Sequence, residues 1–101
     1  MKNTDYLFSF EKLNVWQEAR KFISEIYELT KSFPTDEKFG LTNQIRRASV
    51  SIAANIAEGT SRTSSKDQAH FTNLSYSSLM EALNHLYISL DLNYITDDLL
   101  F

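Results

Sequence analysis

The sequence predicts an all-α fold, a single helical-bundle domain over residues 1–101. Only two glycines and one proline occur in 101 residues, too few turn formers for the many tight connections of a sandwich or barrel. Apolar residues recur at three- and four-residue steps in three segments, the spacing of a helix with one buried face. With 43% hydrophobic and 23% charged residues, the composition is that of a folded chain with one core.

The first helix is predicted from about residue 10 to 32. Proline cannot donate a backbone hydrogen bond and pushes the preceding residue out of the helical region, so Phe33-Pro34 ends this helix. An irregular turn with acidic residues, Thr35 to Glu37, is expected before the next helix. The apolar stripe of the first helix consists of Leu13, Trp16, Ala19, Phe22, Ile23, Ile26 and Leu29.

The second helix is predicted from about residue 41 to 58, with Gly59 ending it in a left-handed C-cap. It carries two stripes along its length. The apolar stripe is Leu41, Ile45, Ala48, Ile52 and Ile56. The polar stripe is Gln44, Arg47, Ser51, Asn55 and Glu58.

The third helix is predicted from about residue 65 to 92, after a polar connection with several candidate N-caps, and Asn93 is expected to close it in a left-handed turn. Thr96, Asp97 and Asp98 are typical of an N-cap and acidic first turn, so the start of a fourth helix is predicted from about residue 97. Three long helices and the start of a fourth indicate either a truncated product or a bundle completed by another chain.

The polar stripe of the second helix has two interpretations. It is either a solvated face or a buried or interfacial network that includes Ser78 and Glu81 of the third helix. In the second case Arg46 or Arg47 pairs with Glu81 across the helix contact, which would fix the register of the two helices.

Charge is unevenly distributed along the chain, whose formal net charge is −3. Residues 38–66 hold five basic groups and one acidic group, whereas residues 67–101 hold five acidic groups and no basic group. The basic middle is expected to meet either a polyanion or the acidic last third of the same or a neighbouring chain. Its candidate nucleic-acid contacts are Arg46, Arg47, Arg62 and Lys66.

No residue pattern in the sequence points to catalysis. The absence of cysteine excludes thiolate chemistry. The two histidines cannot supply the paired Glu-x-x-His motifs of a di-iron bundle, because Glu81 precedes His85 by four residues. We therefore expect no enzyme activity, cofactor, metal or small-molecule substrate. No apolar run is long enough to cross a membrane, and a cytoplasmic protein is expected.

Four motifs stand out in the middle of the chain: Phe33-Pro34, Phe39-Gly40-Leu41, Arg46-Arg47 and the stretch Ser51-Ile52-Ala53-Ala54-Asn55-Ile56-Ala57-Glu58-Gly59. Together they resemble the four-helix-bundle protein family encoded in intervening sequences of bacterial 23S ribosomal RNA genes. The resemblance extends over about residues 10–95.

The resemblance implies an antiparallel up-and-down four-helix bundle from a bacterial cytoplasm, in a family with no established catalytic activity. It also implies a homo-oligomer, since the family tends to form ring-like pentamers. The chain is similar as well to accessory proteins of diversity-generating retroelements, which work with a reverse transcriptase and nucleic acid. Two functions are thus expected as alternatives: a self-assembling scaffold, or an RNA- or DNA-binding accessory protein.

Overall fold

The computed structural model describes residues 8–97, which form an all-α unit of three long helices. Helix α1 spans Asn14–Thr30, α2 spans Leu41–Thr60 and α3 spans Ser65–Asp91. Two short 3-10 helices, Ser9–Lys12 and Thr35–Glu37, precede α1 and α2. No strand occurs in this part of the chain. The predicted start of a fourth helix falls on residues 97–101, of which only Asp97 is described.

The first helix begins at Asn14 and not near residue 10 as predicted. The backbone of Leu13 is extended, with φ −80° and ψ 123°, and separates the first 3-10 helix from α1. This break folds Phe10 back onto Trp16, with their ring centroids 4.8 Å apart. The Gln17 side-chain amide donates to the Glu11 carbonyl at 2.8 Å and holds the fold-back in place. The apolar spacing could not show the break, because Phe10 fits the helical stripe equally well.

The predicted left-handed C-cap at Gly59 is wrong. Helix α2 continues through Gly59 to Thr60, and none of the described glycines has a positive φ. A Cβ atom at Gly59 would lie 3.1 Å from the Cβ of Phe71 on α3. Glycine is therefore suited to this position because it lets α2 and α3 approach closely.

Helix α3 begins at a side-chain cap and ends in a left-handed turn. The Ser64 hydroxyl accepts the backbone N–H of Asp67 at 3.1 Å, which satisfies one of the free donors of the first turn. The left-handed turn predicted at Asn93 is present, with φ 63°. It turns the chain so that the Tyr94 N–H donates to the Ser89 carbonyl at 2.9 Å.

The central helix is α2, which packs against both α1 and α3. Its predicted apolar stripe is buried from Leu41 to Ile52, and Ile56 is half-buried. The buried residues form two clusters along the unit. One contains Ile26, Phe33, Leu41, Ile45, Leu86 and Ile95, and the other contains Ala19, Ala48, Ile52, Ala53 and Ala82.

Candidate functional site

An open groove with apolar walls lies between the start of α1, the end of α2 and the first half of α3. It encloses about 630 Å³. Its apolar lining comes from Leu13, Val15, Ile52, Ile56, Tyr76 and Leu79. We call this surface the apolar groove.

The apolar groove continues as a stripe along α3. Tyr76, Met80, Leu83, Tyr87 and Leu90 follow one another at steps of four, three, four and three residues, which places them on one side of the helix. Tyr76 is 62% exposed, and Met80 and Tyr87 are exposed as well. A stripe with this spacing matches the seam on which a further helix packs.

A second groove lies between the outward faces of α2 and α3 and encloses about 450 Å³. It brings together five of the seven residues of the predicted polar network. These are Gln44, Arg47 and Ser51 on α2 with Ser78 and Glu81 on α3. Phe39, Asn43 and Ala48 complete the lining. We call this surface the polar groove.

The other two residues of the predicted network, Asn55 and Glu58, form side-chain contacts within α2 and with a residue just after its end. The Asn55 side-chain amide donates to the Ser51 carbonyl one turn earlier, at 2.9 Å. The Glu58 carboxylate pairs with the Arg62 guanidinium at 3.1 Å. Neither contact crosses from α2 to α3.

The ion pair suggested between Glu81 and an arginine of α2 is not formed between the described residues. Glu81 instead lies 3.3 Å from the Nε2 atom of His85, one turn along the same helix. His85 is buried, and its Nδ1 atom has no hydrogen-bond partner in residues 8–97. Arg47 is exposed and forms no ion pair within the described part of the chain.

Arg46 binds α1 and not a carboxylate. Its Nε atom donates to the Thr30 hydroxyl at 2.8 Å, and its Nη2 atom donates to the Tyr27 carbonyl at 3.3 Å. The guanidinium also lies over the Tyr27 ring, 4.5 Å from the centroid. Because Arg46 and Arg47 are about 100° apart around the helix, one faces α1 while the other faces the polar groove.

The remaining two basic candidates lie at the connection between α2 and α3. Arg62 packs over the Phe71 ring at 4.7 Å in addition to its pair with Glu58. Lys66 is exposed and has no ion pair among residues 8–97. Of the four predicted nucleic-acid contacts, Arg47 and Lys66 are therefore the two whose charged groups form neither an ion pair nor a hydrogen bond among residues 8–97.

Phe39 is the groove residue that sequence reasoning missed. It is 86% exposed and lies beside the Lys38 ammonium, which is 5.5 Å from the ring centroid. An aromatic residue next to a helix start is expected to pack inward, and nothing in the local sequence separates Phe39 from Phe33, which is buried. Phe33 packs in the core beside Tyr94, with ring centroids 5.3 Å apart, whereas Phe39 lines the polar groove.

The described residues offer no group of three or more histidine, aspartate or glutamate side chains that could hold a metal ion. Within the same residues, no helix is both long and apolar enough to span a membrane. The two grooves provide contact surfaces. One groove is apolar, and the other is polar and contains the unpaired guanidinium of Arg47.

The sequence model of the 23S rRNA-intervening sequence protein family matches residues 11–100. No curated protein matches the chain.

Proposed function

The chain belongs to the 23S rRNA-intervening sequence protein family, and we propose that it is a non-catalytic, self-assembling helical bundle that acts as a scaffold. In this proposal the three helices are part of an antiparallel up-and-down four-helix bundle, and copies of the bundle associate in solution. The observation that carries the proposal is the exposed apolar stripe of α3 beside the apolar groove.

Water disfavours such a surface by about 25 cal/mol for each Å² of apolar area, so a further helix that covers it would be stabilised. Helix α3 rises about 22 Å between Tyr76 and Asp91, so the stripe is long enough to pack against a further helix of about four turns.

The proposal is tested by thermal unfolding at several protein concentrations. If the folded state is an assembly, mass action raises the melting temperature as the concentration increases. Tyr76→Lys, which puts a charge in the apolar groove, is expected to lower the melting temperature. Ser24→Lys, at an exposed position of α1, is the matched control and should leave it unchanged. A melting temperature that is independent of concentration would contradict self-assembly.

A second candidate function is nucleic-acid binding as an accessory protein of an enzyme such as a reverse transcriptase. The unpaired charges of Arg47 and Lys66 favour it, because a polyanion needs cations that no carboxylate already neutralises. Arg46 and Arg62 support it less, since both guanidinium groups have partners in the fold.

Fluorescence anisotropy with a labelled structured RNA and a DNA duplex, at low and physiological salt, tests this function. Binding that weakens as salt increases, and that is lost in Arg47→Ala with Lys66→Ala but kept in Arg62→Ala, would support the accessory function. Absence of binding at both salt concentrations would exclude it.

A further inference from the structure

We propose that a second copy of this chain docks on the polar groove and on the uncharged surface of α2 and α3 beside it. This inference rests on the proposed self-assembly and names the surface through which it takes place.

The outward face of α1 differs in charge from that of α2 and α3. Helix α1 exposes five charged residues, Glu18, Arg20, Lys21, Glu25 and Glu28. Helix α2 carries no charged residue between Arg47 and Glu58, and between Asp67 and Asp91 helix α3 carries only Glu81 and the two titratable histidines His70 and His85. Depletion of charge at the centre of a surface is typical of protein interfaces. The middle of α2 and α3 has this property, whereas the exposed charges of α1 are typical of a solvated face.

Exposed apolar residues share a stripe of α3 with two residues of the polar groove, Ser78 and Glu81. The stripe has steps of three or four residues and consists of Leu74, Ser78, Glu81, His85 and Ile88, with Leu92 continuing it at the C-cap. Leu74, Ile88 and Leu92 are exposed although they are apolar. On α2, Val50 is exposed next to the groove residue Ser51.

This stripe lies on the other side of α3 from the stripe that follows the apolar groove. At about 100° per residue, Leu74 and Tyr76 are separated by roughly 200° around the helix. A fourth helix on the apolar groove would therefore leave Leu74, Ile88 and the polar groove uncovered. The second copy has a surface of its own to occupy.

The chemistry of the polar groove favours a protein over a nucleic acid. Arg47 brings an unpaired guanidinium, but Glu81 brings a carboxylate to the same groove. A phosphate backbone would need a row of cations and would meet Glu81 unfavourably. A second copy supplies acidic groups for Arg47 and basic groups for Glu81. Its residues 67–97 hold four acidic and no basic groups, and its residues 38–66 hold five basic groups.

Phe39 provides an anchor for the contact. Its exposed ring stands at the edge of the groove, next to Asn43 and Gln44. Aromatic side chains bury about 150–250 Å² each and often dominate the stability of an interface. We therefore expect Phe39 to lie against the second copy.

Photo-crosslinking of the intact chain tests the contact directly. A benzoyl analogue of phenylalanine at position 39 should give a covalent dimer on illumination, with the crosslinked peptide mapped by mass spectrometry. The same analogue at the exposed α1 position 24 is the control and should give no dimer. Crosslinking at position 24 and not at 39, or at neither position, would overturn the inference.

Sedimentation velocity of the wild type and of two substitution variants, each measured by itself, separates this inference from the proposal on which it rests. Phe39→Ala and Ile88→Glu should each weaken association by about tenfold or more, with unchanged far-ultraviolet circular dichroism, while Ser24→Glu should not. A wild type that is monomeric overturns both proposals. A wild-type assembly that survives Phe39→Ala, or an RNA whose binding is lost in Arg47→Ala while the assembly persists, overturns the docking inference alone.

Discussion

Glu37 links the start of α2 to the turn that follows α3. Its carboxylate accepts the backbone N–H of Leu41 at 3.0 Å and the hydroxyl of Tyr94 at 2.9 Å. These two bonds, the Leu41 bond foremost, lower the pKa of Glu37 from its ordinary value of 4.5. The bond to Glu37 is also the main reason why the pKa of Tyr94 is raised above 10.0. The hydrogen bond between Glu37 and Tyr94 is therefore sensitive to pH at both the acidic and the alkaline end of the scale.

The sign of each shift gives a prediction. A lowered pKa of Glu37 contributes stability that is present above pH 4.5 and is lost as the pH falls through the value in the folded state. A raised pKa of Tyr94 contributes stability that is present below pH 10.0 and is lost as the pH rises through its folded value. We expect the difference in free energy of unfolding between wild type and Tyr94→Phe to be greatest near neutral pH. Urea unfolding across the pH range measures it, and a difference that does not vary with pH would refute the role of the bond.

The two adjacent arginines show what a sequence can predict about single residues. Both were recognised as basic groups on the second helix, and Arg47 was correctly placed in the polar stripe. The partners of Arg46, Thr30 and the Tyr27 carbonyl, lie on another helix. No local pattern encodes them, because they depend on how α1 rotates against α2.

At the scale of the helix, Ser64 is predicted to stabilise the start of α3. The sequence offered several candidate caps between residues 60 and 65, and the extended backbone of Ser64, with φ −95° and ψ 146°, selects one of them. Ser64→Ala should lower the free energy of unfolding by about 1 kcal/mol. Ser65→Ala, at the neighbouring exposed position, is the control in the same urea titration. Equal effects of the two substitutions would show that the cap contributes nothing specific.

Gly59 carries the second prediction at this scale. Its Cα faces Phe71 so closely that a longer side chain forces α2 and α3 apart. Gly59→Leu should lower the free energy of unfolding by about 1–3 kcal/mol through overpacking, although leucine favours a helix more than glycine does. Ser24→Leu on α1 controls for a leucine at an exposed helical position. If Gly59→Leu stabilises the protein in thermal melts, the close approach of the two helices is not the reason for this glycine.

Helix number, order and the apolar stripe of α2 could be predicted because each depends on spacing within one segment. The error at Gly59 has the opposite origin, since glycine serves equally well as a C-cap and as a point of close contact. Only the neighbouring helix distinguishes the two uses. The late start of α1 is a similar case, in which Phe10 continues the apolar stripe but packs back onto Trp16.

At the scale of the whole molecule, the surface of the unit includes a charged face on α1, an apolar groove, and a polar groove whose charged residues are Arg47 and Glu81. The sequence identified most residues of the polar groove as a stripe on α2 with Ser78 and Glu81 opposite. It did not show that the groove is open to solvent or that Phe39 stands at its edge, because both follow from the packing of three helices. The apolar groove was not predicted, because its lining comes from all three helices and the spacing within one helix does not show where they leave a gap.

The mass of the 101-residue chain in solution tests the proposed self-assembly most directly. Sedimentation equilibrium at physiological salt, over a wide range of protein concentrations, measures it without any substitution. We predict a mass that is a whole multiple of 11.7 kDa and greater than one chain. A mass of 11.7 kDa at every concentration would contradict self-assembly.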